Sequence, residues 1–141
     1  MATTRTATTR WEGSLMEGAG KVTLESSGVG TYDVSWPSRA EEPNGKTSPE
    51  ELIAAAHSSC FSMALSAALA KQGNPPTSLD TKADVTFQPG VGITGIHLTV
   101  VGTVDGLDAE AFQAAAEGAK ENCPVSQALK GTTITLDASL A

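Results

Sequence analysis

The feature that most constrains the fold is an uncharged segment that runs from Leu52 to Ala70. Its apolar residues recur at spacings of three and four, which is the period of an α-helix. The preceding residues, Ser48-Pro49-Glu50-Glu51, are typical of a helix start, because serine caps, proline suits the first turn and Glu51 completes a capping box. Lys71 and Gly73 close the segment. The sequence therefore predicts a helix that is buried nearly all round.

Shorter elements are predicted on both sides of this helix. Residues 37–47 are polar and rich in turn residues, so they are predicted to be a loop. A second helix is predicted from Asp108 to about Asn122, and Cys123-Pro124 begins a further helical turn. Alternating apolar and polar residues predict strands at residues 22–24, 32–36, 83–88, 96–101 and 134–138. This order indicates an α+β fold dominated by antiparallel pairing.

Composition predicts one small domain and a subunit interface. The chain has 141 residues with no internal repeat or linker, so residues 1–141 are expected to form a single domain. Apolar residues make up 40% of the chain, but aromatic residues only 4%. Small aliphatic side chains bury little area each, and such a core is often completed across an interface. We therefore expect a dimer.

Charge and hydropathy exclude two classes of partner. Sixteen acidic residues against nine basic ones give a net charge of −7, which does not suit a protein that neutralises phosphates of nucleic acids. No apolar run approaches the ~20 residues that a membrane helix needs. The first residues lack the apolar region of a signal peptide. A cytoplasmic protein without a membrane partner is expected.

Two cysteines, Cys60 and Cys123, are candidates for chemistry. Their spacing relative to His57 and His97 does not match a metal site, and in a reducing compartment they do not suit a structural disulfide. Cys60 lies in the middle of the apolar helix, whereas Cys123 lies at a helix start, where free backbone N–H groups favour a thiolate. The pair suggests a redox couple. For each residue alone, the alternative is an inert packed thiol.

His57 lies three residues before Cys60 and therefore on the same helix face. It has two interpretations. A histidine beside a cysteine can activate the thiol. Alternatively, His57 is a core or interface histidine that makes one hydrogen bond.

Two segments resemble the OsmC/Ohr family of thiol-dependent hydroperoxide reductases. Residues 48–65, SPEELIAAAHSSCFSMAL, resemble the signature helix of that family, and residues 121–126, ENCPVS, resemble its second cysteine motif. Weaker resemblance at 11–13, 76–81 and 134–137 extends it over nearly the whole chain. The helix with His57 resembles the OsmC branch more than the Ohr branch.

The resemblance implies a peroxidase cycle in oxidative and osmotic stress defence. Cys60 would attack the peroxide and become a sulfenic acid, and Cys123 would resolve it as a disulfide. No bound cofactor is implied, since an external dithiol, a dihydrolipoyl group in the Ohr relatives, reduces the disulfide. Organic hydroperoxides are the expected substrates, and the apolar neighbours Phe61, Met63 and Leu65 favour them too. The other interpretations are a redox-sensing module and a structural stress protein without turnover.

The family also uses an arginine, held by a glutamate, to stabilise the thiolate. By the motif, the glutamate is Glu50 and the arginine is Arg39, with Arg5 and Arg10 as alternatives. Glu50 and Cys60 are ten residues apart on one helix, or about 15 Å. Arg39 bound to Glu50 would then serve the Cys60 of a partner chain. This predicts an intertwined homodimer with composite active sites. The resemblance implies the fold of that dimer, in which antiparallel β-sheets wrap around long central helices.

Overall fold

The structure, a computed structural model, describes all residues from Met1 to Ala141. The residues group into two compact units, Met1–Leu52 and Ile53–Ala141. A single domain over residues 1–141 therefore stays a prediction.

The first unit contains a three-stranded antiparallel sheet. Strands β1 (Thr8–Glu12), β2 (Ala19–Thr23) and β3 (Thr31–Val34) lie in the order β1-β2-β3. Strand β1 was not among the predicted elements, because every residue of TTRWE is exposed and no apolar alternation marks it. Its pairing with β2 defines it instead.

A short helix, α1 (Trp36–Ala40), follows β3 where a loop was predicted over residues 37–47. Ser35 caps this helix by accepting a hydrogen bond from the backbone N–H of Ser38, and the Ser38 hydroxyl accepts one from Ser35 in return. Pro37 lies in the first turn, where its missing N–H costs nothing. The prediction of a loop was therefore wrong for the residues up to Ala40.

Helix α2 (Pro49–Lys71) begins in the first unit and continues through the beginning of the second. Ser48 Oγ accepts a hydrogen bond from the backbone N–H of Glu51 at 3.1 Å, as the predicted cap requires. The Glu51 carboxylate does not complete the capping box, since it accepts from the Thr47 hydroxyl at 2.6 Å.

The second unit adds a mixed sheet and two helices. These elements are β4 (Ser78–Gln88), β5 (Gly92–Thr103), α3 (Ala109–Asn122), α4 (Pro124–Ala128) and β6 (Ile134–Leu140). The sheet order is β4-β5-β6. The first pair is antiparallel, but β6 pairs parallel to β5, because α3 and α4 supply the long crossover that a parallel pair needs. The α+β class is confirmed, with this pairing as the exception to the antiparallel expectation.

The core of the second unit is built on one face of α2. Phe61, Leu65 and Leu69 are fully buried in one cluster with residues of β5 and α3, among them Leu98 and Phe112. The opposite face is open, and the Met63 side chain is 72% exposed. The prediction of burial nearly all round was wrong for the single chain, because its sheet and α3 cover only one face of the helix.

Helix α2 is also long and apolar enough, by length and composition alone, to cross a membrane. The prediction that no apolar run approaches that length was wrong. One such helix is weak evidence for a membrane span, since the core helix of a soluble protein passes the same test.

Candidate active site

The two cysteines meet in the second unit. The Sγ atoms of Cys60, on α2, and Cys123 lie 2.9 Å apart, although the residues are 63 positions apart in the chain. Cys123 ends α3 and begins α4, as the sequence predicted. Pro124 fixes this junction, because it cannot continue α3 but suits the first position of a new helix.

The two thiols differ in burial, and the predicted burial of Cys60 within its helix was wrong in part. Cys123 is fully buried within the core cluster, whereas Cys60 is only partly buried and packs against that cluster. Cys60 directly precedes the buried Phe61 on α2, and part of its own surface stays exposed. A molecule that approaches from solvent therefore meets Cys60 first.

The surroundings of Cys60 in the single chain disfavour its thiolate. Burial raises the pKa of the Cys60 thiol, and the neighbouring Cys123 thiol raises it further. A hydrogen bond from the backbone N–H of Val125 in α4 acts in the opposite direction and lowers the pKa. No cationic side chain is among the groups that lower this pKa.

His57 makes no hydrogen bond to the thiol that it could have activated. Its Nε2 lies 2.7 Å from the Ser126 hydroxyl in α4, and both side chains are buried. Its Nδ1 has no hydrogen-bond partner. Burial lowers the pKa of His57, so the ring is neutral at pH 7. The interpretation as a core histidine with one hydrogen bond is confirmed.

Two contributors to this site were missed in the sequence, the Ser126 hydroxyl and the Val125 amide. A backbone amide leaves no trace in residue identity. Ser126 does leave one, because it follows Cys123 by three residues just as His57 precedes Cys60 by three. Residues three apart share a helix face, so the two pairs can meet side by side.

Arg39 and Glu50 form an ion pair in the first unit. Arg39 Nε lies 3.0 Å from Glu50 Oε1, and Nη2 lies 2.9 Å from Oε2, a bidentate arrangement. The Glu50 carboxylate is buried in the first turn of α2, and 31% of the Arg39 side chain is exposed. The alternative arginines bond elsewhere: Arg10 pairs with Glu12, and Arg5 donates to a backbone carbonyl.

The apolar residues that were expected to surround the Cys60 thiol lie in the core or on the open helix face instead. Phe61 and Leu65 are core residues, and Met63 lies on the open face of α2. The first unit holds an apolar pocket of about 390 Å³. The residues that line it include Trp11, Leu15, Val22, Trp36, Arg39 and Leu52.

The second histidine is not part of the thiol site. His97 lies on β5, with Nδ1 2.5 Å from the Thr135 hydroxyl and Nε2 3.0 Å from the Asp137 carboxylate. The structure holds no group of three or more histidine, cysteine or carboxylate side chains placed to bind a metal ion.

Comparison with known proteins places the chain in a family. The family of OsmC-like proteins matches residues 42–137. Peroxiredoxin OsmC of Escherichia coli (strain K12) is 46% identical over 133 residues, which cover 92% of each chain. Organic hydroperoxide resistance protein OhrB of Bacillus subtilis (strain 168) is 32% identical over 115 residues, 80% of this chain and 83% of OhrB. The chain belongs to the OsmC family, and the resemblance seen in its sequence is confirmed.

Solved structures agree on the fold. The crystal structure of OhrB from Bacillus subtilis superposes with a TM-score of 0.72 and 27% identity, covering 96% of this chain and 98% of that one. An OsmC-like protein from Mycoplasma pneumoniae superposes with a TM-score of 0.75, covering 100% and 99%. At 11% identity, the second likeness concerns the fold alone.

Proposed function

We propose that this protein is a thiol-dependent peroxidase of stress defence that reduces organic hydroperoxides with Cys60 and Cys123. One observation carries the proposal: two free thiols whose sulfur atoms lie 2.9 Å apart. The names of the relatives agree with it, since one is a peroxiredoxin and another an organic hydroperoxide resistance protein.

The proposed cycle has three steps. The Cys60 thiolate attacks the outer peroxide oxygen, the O–O bond breaks, and the alkoxide takes a proton and leaves as an alcohol. Cys123 sulfur then attacks the Cys60 sulfenic acid, and the hydroxyl leaves with the thiol proton as water. An external dithiol then reduces the protein disulfide. It supplies two electrons and two protons, becomes a disulfide itself and restores both protein thiols.

The difference in burial supports the role that we propose for each cysteine. Cys60 is the more exposed sulfur, so it is the one that a peroxide reaches, and fully buried Cys123 is protected from direct oxidation. The resolving step needs little movement. The sulfur–sulfur distance must shorten from 2.9 Å to about 2.05 Å, the length of a disulfide bond.

Arg39 and Glu50 complete the site in this proposal, from a second copy of the chain. Ten residues of α2 separate Glu50 from Cys60, about 15 Å along a helix. An arginine held by two bonds to Glu50 is therefore better placed for the Cys60 of a partner. There its charge would lower the thiol pKa that burial raises.

The open face of α2 supports the homodimer. Within its uncharged segment, residues 52–70, this helix buries His57, Phe61, Leu65 and Leu69 but leaves Met63 and several alanines exposed. A second copy packed against this face would cover it and make α2 a central helix of the assembly.

The pocket of the first unit supports an organic substrate. Trp11, Leu15 and Trp36 line it together with Arg39, so it presents apolar surface beside the proposed cation. In the composite site, this pocket would hold the alkyl group of the peroxide while the partner's thiol attacks. We propose a dihydrolipoyl-type dithiol as the reductant and the cytoplasm as the location.

The experiment that tests the cycle is mass spectrometry of the native protein after one equivalent of cumene hydroperoxide. The wild type is expected to form a disulfide between Cys60 and Cys123, and Cys123→Ser is expected to stop at the Cys60 sulfenic acid. Hydrogen peroxide serves as the matched oxidant, and we expect it to react more slowly.

Two outcomes would overturn the proposal. If both thiols stay reduced, the protein is a structural or binding member of its family. If oxidation is slow and dithiols give no turnover, it is a redox sensor instead.

A further inference from the structure

The buried pair of His57 and Ser126 joins the two helices that carry the cysteines. His57 Nε2 on α2 and Ser126 Oγ on α4 lie 2.7 Å apart. His57 is fully buried and Ser126 is 4% exposed. Ser126 is the one buried residue within α4 itself. Because neither side chain makes a hydrogen bond to either sulfur, the buried polar pair needs another explanation.

Helix α4 is short, and besides the bond to His57 it makes one side-chain hydrogen bond to another element, from Gln127 to the backbone carbonyl of Glu121 in α3. It contains five residues, and its first residue has no side-chain cap. Two groups at its start nevertheless act on Cys60: the Cys123 sulfur lies 2.9 Å from the Cys60 sulfur, and the backbone N–H of Val125 lowers the pKa of Cys60. Small displacements of α4 would weaken both effects, since hydrogen bonds and thiol attack depend steeply on distance.

We propose that the hydrogen bond between His57 and Ser126 is the anchor that fixes α4 on α2, so that one bond positions both the Val125 amide and the Cys123 thiol against Cys60. His57 and Ser126 are then positioning residues. This inference rests on the roles proposed above for Cys60 and Cys123.

The chemistry of the pair suits such an anchor. A neutral imidazole keeps the same hydrogen bond throughout the cycle, because burial holds its pKa below the ordinary value. A charged pair in the same place would change the energy of the adjacent thiolate at every step. The bond is buried, so water does not compete for it and its loss leaves an unpaired polar group.

The test compares three single variants with the wild type. Ser126→Ala removes the anchor, and His57→Gln keeps it, because the glutamine amide reaches the position of Nε2. Ser62→Ala is the matched control, since the Ser62 hydroxyl donates a bond of the same length, 2.7 Å, from α2 to Thr81 in β4 and does not involve α4.

Two quantities are measured for each variant. The first is the pKa of Cys60 in a Cys123→Ala background, obtained from the pH dependence of alkylation by iodoacetamide. The second is the rate of disulfide formation after a pulse of cumene hydroperoxide, followed by quenched-flow mass spectrometry. The alkylation readout requires no peroxidase activity, so failure of the proposed function would not obscure it.

We expect Ser126→Ala to raise the Cys60 pKa by about half a unit and to slow disulfide formation about tenfold. His57→Gln should remain close to the wild type in both readouts, and so should Ser62→Ala. The proposal is overturned if Ser126→Ala leaves the Cys60 pKa unchanged. It is equally overturned if Ser62→Ala produces the same changes, because the effect would then be a general loss of stability.

Discussion

Two regions of helix α2 carry opposite kinds of chemistry. Its first turn holds Glu50, buried and paired with the Arg39 guanidinium by two hydrogen bonds. Ten residues later, Cys60 faces another thiol and has no charged side chain among the groups that set its pKa. The start of the helix therefore holds the Arg39–Glu50 ion pair but no thiol. The middle holds the Cys60 thiol but no charged side chain that acts on it.

This difference shows what one chain can arrange by itself. The fold brings the two thiols within reach of a disulfide, and it satisfies the ion pair at the helix start. It does not place positive charge on the thiol, whose pKa burial raises. In the proposed peroxidase the two regions meet across a dimer interface, and the following predictions test the thiol, the cation, the interface and the interior near the thiols.

The largest effect is expected from Cys60→Ser. Serine retains the shape of the side chain but loses the nucleophile, so steady-state turnover of cumene hydroperoxide should fall about a thousandfold or more. Cys123→Ser is the control, because its first step should survive and consume one equivalent of peroxide. Retained turnover in Cys60→Ser would assign the attack to another residue.

Removing the cation should have the next largest effect. Arg39→Met is expected to slow peroxide reduction about a hundredfold and to raise the pKa of Cys60, since an opposite charge favours the thiolate. Arg10→Met is the matched control, because Arg10 bonds Glu12 on an exposed strand. An unchanged Cys60 pKa in Arg39→Met would break the link between the two regions.

Mixed dimers decide which chain supplies the arginine. Each parent variant, Arg39→Met or Cys60→Ser, lacks one component of every site. A mixed dimer of the two regains one complete site only if Arg39 acts on the partner's Cys60. Restored activity on mixing would support the composite site, whereas no restoration would place both residues in one chain.

A smaller effect, on the dimer–monomer equilibrium, is expected from a substitution on the open face of α2. Met63→Asp places a charge at a side chain that is 72% exposed, and it should shift the protein from dimer to monomer in sedimentation velocity. Val91→Asp is the control, since Val91 is similarly exposed, at 68%, in the turn between β4 and β5. A dimer that tolerates Met63→Asp would have to use another surface.

The smallest expected effect is a change in folding stability with pH, caused by the buried His57. Burial lowers the pKa of His57 in the folded chain, whereas an unfolded histidine takes up a proton below about pH 6.5. The unfolded state then binds more protons, so stability should fall as the pH drops below about 6.5. Thermal unfolding between pH 8 and 5 measures this, and the fall should be weaker in His57→Gln, which does not titrate.

Much of the site could be predicted because it depends on local sequence. The capping serine and Pro49 marked the start of α2, and Pro124 marked the junction at Cys123. These signals act within one or two helical turns, where the backbone rules are strict. The pairing of Arg39 with Glu50 came from the family motif, and the structure contains it.

The features that were missed depend on partners distant in the chain. The exposed strand β1 exists because it pairs with β2, and β6 is parallel because two helices precede it. The relative burial of Cys60 and Cys123 depends on which face of α2 the second sheet covers. None of these properties is encoded in the spacing of apolar residues along one segment.

The contact between Cys60 and Cys123 has a consequence for the durability of the oxidised protein. A bond between residues 63 positions apart would close a large loop that includes β4, β5 and α3. Such a closure restricts the unfolded chain and is worth about 4 kcal/mol by the chain-entropy estimate. Because the sulfurs are already adjacent, little strain would offset this gain. Each oxidation by peroxide would thus leave the molecule harder to unfold until a dithiol reopens the loop.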